Sequence, residues 1–299
     1  MATLDLHVHS TGSDGAMKPS WIVDRAVECG YCALAVTDHD TFTGVPEAAR
    51  AAQGTSLTLI PGVELSVELH CGGSAHMLGY FPGHDPRSWN GGSVEKALTS
   101  VREARDSRNS LILQKLQEQG IPVTMREVLE HSGGGVTGRL HIATILVQKG
   151  VVESTEQAFR HYLGKGAKAY VPRERIGDFR ALDLIRENGG IPVLAHPWLL
   201  EGRDGMGIRS LVASLTEGGL MGIEAFYPSH DKEKAAFLVR TAGDFGLLVT
   251  GGSDFHGVDE RDVFPAERGG FRVDSDHVGT FLEACSRMMK GDHRDGETQ

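Results

Sequence analysis

Two histidines that stand two positions apart give the first indication of chemistry. His7 and His9 belong to the segment Asp-Leu-His-Val-His-Ser near the start of the chain. In an extended strand, successive side chains point to opposite faces, so both imidazoles would share one face while Leu6 and Val8 occupy the other. Imidazole nitrogen is a common ligand of divalent metals. The spacing favours a metal site, and the alternative is a half-buried strand with hydrogen-bonded histidines.

Further metal-type side chains recur at or near the ends of predicted buried strands, and one carboxylate lies within an apolar stretch, where an unpaired charge would be costly. The candidate ligands are His7, His9, Asp14, His39, Glu64, His76, His196, Asp254 and His256. Six imidazoles and three carboxylates are too many for one tetrahedral zinc ion. They predict two or three divalent ions such as Mn, Fe or Zn. His76 taken alone would be read as a hydrogen-bonded core histidine.

The elements that must position these residues alternate between apolar runs and amphipathic helices. After the first strand, strands are predicted at Tyr31–Thr37, Leu57–Ile60, Gly62–Leu69, Ser74–Phe81, Ile191–Ala195, Met221–Phe226 and Leu247–Thr250. Helices are predicted at Lys18–Cys29, Val45–Gln53, Asp178–Glu187, Ile208–Glu217, Asp231–Phe245 and Asp276–Met289. This rhythm predicts an α/β barrel, in which the carboxyl ends of parallel strands converge on one rim.

One long segment breaks the alternation. Helices are predicted at Ser93–Gly120, Met125–His131, Arg139–Gln148 and Ser154–Leu163, with no strand between them. We therefore expect an inserted helical domain at 93–172, a discontinuous barrel at 1–92 and 173–290, and a disordered tail at 291–299. Residues 93–180 contain 14 Lys and Arg against 10 Asp and Glu, although the whole chain has a net charge of −10. A basic insert on an acidic body suits an anionic substrate.

Composition excludes several classes of protein. The negative charge disfavours a general nucleic-acid coating protein, and no apolar run approaches the roughly 18 residues of a membrane span. No basic-then-apolar leader precedes the first strand, so we expect a cytoplasmic protein. Cys29 and Cys32 have the spacing of a redox pair. They straddle a predicted helix end and the next strand instead of opening a helix, so Cys32 is better read as an apolar strand residue.

The ordered motifs resemble those of the PHP (polymerase and histidinol phosphatase) phosphoesterases. They are DLHVHS, TDHD at 37–40, PGVE at 61–64, the lone His76, AHP at 195–197 and GSDFH at 252–256. The resemblance implies a distorted β/α barrel, usually seven-stranded, with a trinuclear metal site. It assigns His7, His9, Glu64 and Asp254 to a first metal, Glu64, His76 and His196 to a second, and Asp14, His39 and His256 to a third.

The insert is similar to one branch of that family. Gly138-Arg139-Leu140-His141-Ile142-Ala143 and Tyr170-Val171-Pro172-Arg173 resemble the branch that contains nucleoside 3′,5′-bisphosphate phosphatases, RNA 5′-end exonucleases and a cyclic-phosphate hydrolase. That branch usually has Pro where Leu140 stands, a departure that leaves Arg139 and His141 intact.

These residues predict metal-assisted hydrolysis of a phosphate ester. A hydroxide that bridges two metals is a nucleophile at neutral pH and could attack phosphorus in line, beside Asp254. Arg139 is the predicted phosphate clamp, because a guanidinium binds phosphate bidentately. His141 and Arg173 are candidate contacts to phosphate or base, and His230 could contact substrate or protonate the leaving group. Surface roles for His141 and Arg173, and a plain loop histidine at 230, remain the alternatives.

The preferred substrate is therefore a small nucleotide or phosphorylated ribose that carries two phosphates, or a cyclic phosphate plus a second phosphate. Trimming of short RNA from its 5′ end is the first alternative, although the acidic body disfavours long polyanions. A non-catalytic metal-binding scaffold is the second. No membrane contact or obligate protein partner is predicted.

Overall fold

The computed structural model describes residues 3–84, 93–133, 135–172, 175–200, 202–257 and 271–290. Arg173 and the tail 291–299 lie outside the described residues. Within them, no helix combines the length and the apolar character that crossing a membrane requires. The four cysteines, all in the described part, form no disulfide.

The described strands form one curved sheet. They are β1 (Thr3–Val8), β2 (Tyr31–Val36), β3 (Thr58–Glu68), β4 (Ser74–Tyr80), β5 (Ile176–Gly177), β6 (Ile191–Leu194), β7 (Gly222–Phe226), β8 (Leu248–Gly251) and β9 (Val273–Asp274). Their order across the sheet is β8-β7-β6-β4-β3-β2-β1-β9, with β5 paired to β3. The two-residue strands β5 and β9 were not predicted, because so short a segment has no readable periodicity.

The sheet closes into a barrel where the chain leaves β8. His9 N donates to Phe255 O over 2.9 Å, and Asp254 N donates to His7 O over 2.8 Å. These bonds join the segment after β8 to β1, so that seven strands encircle the core: β1 to β4 and β6 to β8. The seven-stranded barrel implied by the motif resemblance is therefore confirmed.

Two predicted strands, Leu57–Ile60 and Gly62–Leu69, are one continuous strand. Residues 58–61 of β3 pair in parallel with β2, and residues 62–68 pair antiparallel with β4. Pro61, which has no N–H to donate, stands where the strand changes partner. The proline between the two predicted stretches therefore marks a change of partner within one unbroken strand.

The barrel is not wholly parallel. β4 runs antiparallel to both β3 and β6, because only the turn 69–73 connects it to β3. A parallel crossover needs a dozen or more residues. His76 therefore reaches the rim of predicted ligands from near the amino end of its strand, whereas His196 follows the carboxyl end of β6 and Glu64 lies in the middle of β3.

Helices cover the outside of the barrel. They are α1 (Pro19–Glu28), α2 (Val45–Ala52), α7 (Asp178–Glu187), α8 (Gly205–Glu217), α9 (Lys232–Asp244) and α10 (Gly279–Met289). Their apolar faces pack on the sheet in three clusters. Gly30 stands just after the end of α1 and has a φ of 73°, the left-handed conformation that commonly closes a helix.

The insert contains α3 (Ser93–Glu118), α4 (Met125–His131), α5 (Arg139–Gln148) and α6 (Thr155–Ala158). A separate apolar cluster joins these helices, with Leu116, Ile142, Leu146 and Leu163 fully buried. The predicted helix Ser154–Leu163 is present, but its second half, residues 159–163, is wound as a π turn. The domain boundaries themselves stay a prediction.

Candidate active site

Glu64 lies at the centre of the predicted ligands. It occupies the middle of β3 and is 1% exposed. Five histidines place a ring nitrogen 2.9–3.3 Å from its two oxygens. These are His7, His9, His39, His76 and His196. A carboxylate shared in this way has the geometry of a bridging ligand, because each oxygen can serve a different ion.

One group of donors combines the first strand with the segment after β8. The ligand atoms of His7, His9, Glu64 and Asp254 lie within 4.8 Å of one another. His7 Nε2 is 3.2 Å from His9 Nε2, and Asp254 Oδ1 lies 3.3 Å and 3.1 Å from those two nitrogens. The set is the one that the motif resemblance assigns to a first metal.

The other two groups overlap with this one. His9, Asp14, His39 and His256 converge in the same manner, as do His39, Glu64 and His76. His196 Nε2 is 3.1 Å from Glu64 Oε1 and 3.3 Å from His76 Nδ1. The structure thus brings all nine predicted ligands together, with His9 and His39 each placed between two groups.

The donor set fits divalent cations. His39 Nδ1 is buried and makes no hydrogen bond within the described part of the chain. Glu64 Oε2 is only 2.9 Å away, but the angle between the two groups is not that of a hydrogen bond. Such an approach is expected of two ligands aimed at one ion. Mixed imidazole and carboxylate donors suit Zn, Mn and Fe.

The pKa shifts at the site also indicate that its carboxylates stabilise positive charge. Burial alone would lower the pKa of His9, but bonds and charges from Asp254 and Glu64 outweigh it and raise that pKa to about 10. Burial alone would raise the pKa of Glu64, yet the surrounding histidines, led by His76 and His39, hold it well below its usual range. The same holds for Asp254, where His7 is the leading opposing charge. The carboxylates thus keep cations or protons close.

Three residues at this rim have positive φ without being glycine. They are Asp40 at 54°, His196 at 28° and Asp254 at 55°. Such conformations cost free energy and persist where the surrounding structure imposes them. Each stands just after a strand or its exit turn, and two of them are predicted ligands, so the strain accompanies the turning of those side chains toward the centre.

Glu224, which the sequence interpretation missed, supports two ligands. Its Oε1 lies 3.0 Å from His7 Nδ1, and its Oε2 accepts from His196 N over 2.8 Å. When His7 Nδ1 carries the proton of this bond, its Nε2 presents a lone pair to Glu64 and Asp254. The available signal was a carboxylate inside the apolar strand Gly-Ile-Glu-Ala-Phe, as at Glu64.

His230 lies on the loop after β7. Its Nδ1 bonds to Ala225 O over 3.0 Å, while its buried Nε2 has no hydrogen-bond partner. Burial lowers its pKa, so the neutral ring offers a lone pair at Nε2. Tyr227 stands three residues before His230 and was not among the predicted site residues. Its Oη donates to Asp254 Oδ2 over 2.9 Å.

A pocket of about 240 Å³ opens beside the ligand cluster. One wall consists of Asp14, His39, Ser66 and His76 from the barrel, and a second wall comes mainly from the insert. That wall, hereafter the arginine wall, is formed by Arg105, Arg108, Arg139, Leu140, Phe159 and Arg175. Arg139 was predicted, whereas Arg105, Arg108 and Arg175 were not, because nothing in their helical or loop sequence distinguishes them from surface arginines.

His141 does not line this pocket. Its Nδ1 accepts from Gly138 N over 3.0 Å and thereby satisfies a backbone donor at the start of α5. Burial lowers the pKa of His141 to about 4, so its ring is neutral near pH 7.

Comparison with known proteins gives these observations a context. A 5′-3′ exoribonuclease from Haemophilus influenzae is 37% identical over 253 residues, which are 84% of this chain and 89% of that protein. A 3′,5′-nucleoside bisphosphate phosphatase from Chromobacterium violaceum is 34% identical over 271 residues, 88% and 91% of the two chains. A solved amidohydrolase structure from Chromobacterium violaceum, with bound sulfate and no metal, superposes with a TM-score of 0.82. It is 31% identical, and the match covers 95% of this chain and 97% of that one.

The family model described as the PHP domain matches residues 5–165, more than half of the chain. That range contains the first strand, the TDHD and PGVE motifs, His76 and Arg139. The fold, the convergent ligand groups and the relatives agree with this match, and the chain belongs to the PHP-domain family of metal-dependent phosphoesterases.

Proposed function

We propose that this phosphoesterase acts on a small nucleotide or phosphorylated ribose that carries two phosphoryl groups, such as a nucleoside 3′,5′-bisphosphate. The observation that carries the proposal is a single pocket lined both by metal-type ligands and by four arginines. Such a pocket can receive one phosphate at the ligand cluster and a second anion at the arginines.

We assign the nine ligands to two or three divalent ions, of Mn, Fe or Zn, grouped around Glu64 as described above. Bound there, these ions would lower the pKa of a water nucleophile and neutralise charge on the phosphoryl oxygens. Glu224 holds His7 and His196 in place through its two oxygens. His230 Nε2 can accept a proton from a neighbouring group, and it can donate one to a leaving group only after it has itself been protonated.

Within the arginine wall, Arg105 has a structural partner. It bonds to Asp40 Oδ2 over 2.7 Å and to Ser66 Oγ over 3.0 Å, so that it joins the insert to the barrel rim. Arg139 also lines the pocket, where it bonds to a backbone carbonyl and lies over a ring face. We therefore assign the second-phosphate contact to Arg139, and we propose that residues 93–172 act as the lid that presents it. The predicted contact of Arg173 and the cytoplasmic location stay predictions.

A ribonuclease acting from the 5′ end is the second candidate, because the 37% identical relative bears that name. A 5′-terminal nucleotide of RNA also has a phosphate on each side of its ribose, so the same two-anion pocket would serve it. The two candidates differ in whether chain beyond the first nucleotide improves turnover.

The test compares substrates on manganese-loaded enzyme: adenosine 3′,5′-bisphosphate, adenosine monophosphate, a cyclic phosphate, p-nitrophenyl phosphate and a 5′-phosphorylated RNA pentamer. Arg139→Ala should lower kcat/KM for the bisphosphate by about 10- to 100-fold, since a charge-assisted bond contributes about 1.5–3 kcal/mol. The loss for p-nitrophenyl phosphate should be below about threefold, because that ester has no second phosphate.

Arg126→Ala is the matched control, because the Arg126 side chain is 85% exposed on α4 and pairs only with Glu130 among the contacts described. It should leave all five rates unchanged. Equal losses for the bisphosphate and the monoester in Arg139→Ala would contradict the two-phosphate proposal. Preference for the pentamer over the bisphosphate would favour the ribonuclease.

A further inference from the structure

A π turn forms part of the arginine wall. Residues Phe159–Leu163 are wound with a bond from Gly164 N to Phe159 O, 2.7 Å long. π turns are rare and occur often at functional sites. A Cβ atom at Gly164 would lie only 2.7 Å from Phe159 O, so the turn in this form depends on the glycine.

Arg139 contacts both ends of this turn. Its guanidinium carbon lies 5.4 Å from the centre of the Phe159 ring, and its Nη1 donates to Leu163 O over 2.9 Å. The Leu163 side chain is fully buried in the insert cluster, which fixes the position of its carbonyl. The Arg139 backbone is fixed as well, because it opens α5.

This arrangement has an energetic consequence. A free arginine side chain loses rotamer entropy when it is immobilised. A guanidinium already held against a ring and a carbonyl has lost much of that freedom before substrate arrives, which raises affinity. Arg139 and Phe159 both line the pocket that Asp14, His39 and His76 also line.

We propose that Phe159, presented by the π turn, is a positioning residue for Arg139 and thereby determines selectivity for substrates with a second phosphate. The proposal rests on the function proposed above, in which Arg139 receives that phosphate. Phe159 acts through the arginine and does not itself contact the reacting group.

The test is a double-mutant cycle of Phe159→Leu and Arg139→Ala, measured with adenosine 3′,5′-bisphosphate and p-nitrophenyl phosphate. Phe159→Leu should lower the ratio of kcat/KM values, bisphosphate over monoester, by about 5- to 20-fold, within the range of a partly buried cation–π contact. In the Arg139→Ala background the same change should have no further effect on the ratio, because coupled residues are not additive. Calorimetric binding of the bisphosphate to metal-free protein should weaken in parallel.

Two further variants test whether the effect comes from the position of the Phe159 ring. Gly164→Ala perturbs the π turn without altering the ring, and it should shift the ratio in the same direction. Tyr162→Leu is the matched control, because Tyr162 lies in the same turn with Lys168 over its ring and does not line the pocket. Its ratio should equal that of the wild type.

The outcomes separate the two proposals. Equal losses on both substrates in Phe159→Leu would mean a purely structural ring and would overturn this inference. A further fall in turnover of the bisphosphate when Phe159→Leu is added to Arg139→Ala would mean direct contact with substrate, and would also overturn it. If Arg139→Ala alone leaves the ratio unchanged, the two-phosphate function itself fails and this inference falls with it.

Discussion

The two walls of the pocket are built by different means. On the barrel side, the ligands stand on or next to strands, and the backbone itself fixes them: Glu64 is inside β3, His7 is inside β1, and His9 follows the end of β1. On the insert side, long arginine side chains reach the pocket from helices and are held by their own partners, as Arg105 is by Asp40. The barrel wall is positioned by main chain, and the arginine wall by side-chain contacts.

The difference explains how binding and chemistry can change independently. A small displacement of an insert helix moves the arginine side chain that the helix carries, whereas the ligand cluster changes only if the barrel deforms. Substitutions on the barrel wall should therefore abolish turnover of every substrate, and substitutions on the arginine wall should alter the choice among substrates.

The largest effect should come from Glu64→Gln. The amide keeps the size of the side chain but removes the charge that five histidines face, so the ions should lose their shared ligand. We expect turnover of every substrate to fall by more than about 10³-fold, and elemental analysis should show less than the wild-type metal content.

Glu68→Gln is the control, because Glu68 ends the same strand with its side chain exposed. It should keep full activity and metal content. A Glu64→Gln protein that retains wild-type metal and turnover would refute the central position given to this carboxylate, and with it the contrast between the walls.

A smaller but general loss should follow Glu224→Gln. The amide can still accept a bond from His196 N, but it holds the protonated Nδ1 of His7 less strongly than the carboxylate does. Such outer partners typically contribute 10- to 100-fold in metal affinity or activity. Competition with a chelator should show weaker metal binding by about that factor, and turnover at saturating metal should recover in part.

Glu233→Gln serves as the matched variant here, since Glu233 lies in the first turn of α9 and is exposed. Unchanged metal affinity in Glu224→Gln would show that packing alone orients His7. The barrel wall would then need no side-chain hydrogen bond to hold its ligands, in further contrast to the arginine wall.

The barrel wall was readable from the sequence, and the arginine wall largely was not. His7, Glu64 and Asp254 were recognisable because ionisable side chains are out of place beside or inside apolar strands. Arg108 and Arg175 gave no such signal, because arginine is ordinary in exposed helices and loops and only the tertiary fold shows where its side chain points. Arg139 was found through its motif and not through any physical pattern.

The details of the fold that were not predicted have similar causes. The change of partner at Pro61 and the antiparallel direction of β4 depend on strand pairing in the tertiary fold, which local sequence does not reveal. The π turn at Phe159–Leu163 has the same pattern as an α-helix, since one extra residue per turn leaves no trace in so short a segment. Glu224 could have been found by the reasoning that found Glu64.

The smallest change in turnover should come from His141, which was predicted as a substrate contact. Its Nδ1 is engaged by Gly138 N, and the ring does not line the pocket, so we expect His141→Ala to alter kcat/KM by less than about threefold. The loss of the capping bond should lower the free energy of unfolding by about 1 kcal/mol. His141→Asn can replace Nδ1 by an amide oxygen and should recover most of that stability. Turnover of the bisphosphate that falls 10-fold or more in both variants would restore the substrate role.

The pH dependence of stability sharpens this last test. Burial lowers the pKa of His141 from 6.5 to about 4. A proton on Nδ1 would also break the bond from Gly138 N. Between these two values the unfolded chain binds a proton that the folded chain does not, so this contribution is complete above pH 6.5 and is lost as the pH falls toward 4. Wild type should therefore lose on the order of 2 kcal/mol more than His141→Asn over that range. Thermal unfolding of the two proteins at matched pH measures the difference, in which the titration of the other histidines cancels. Parallel curves would mean that the pKa of His141 is the same in the folded and unfolded chains, which would contradict the buried, engaged position given to its ring.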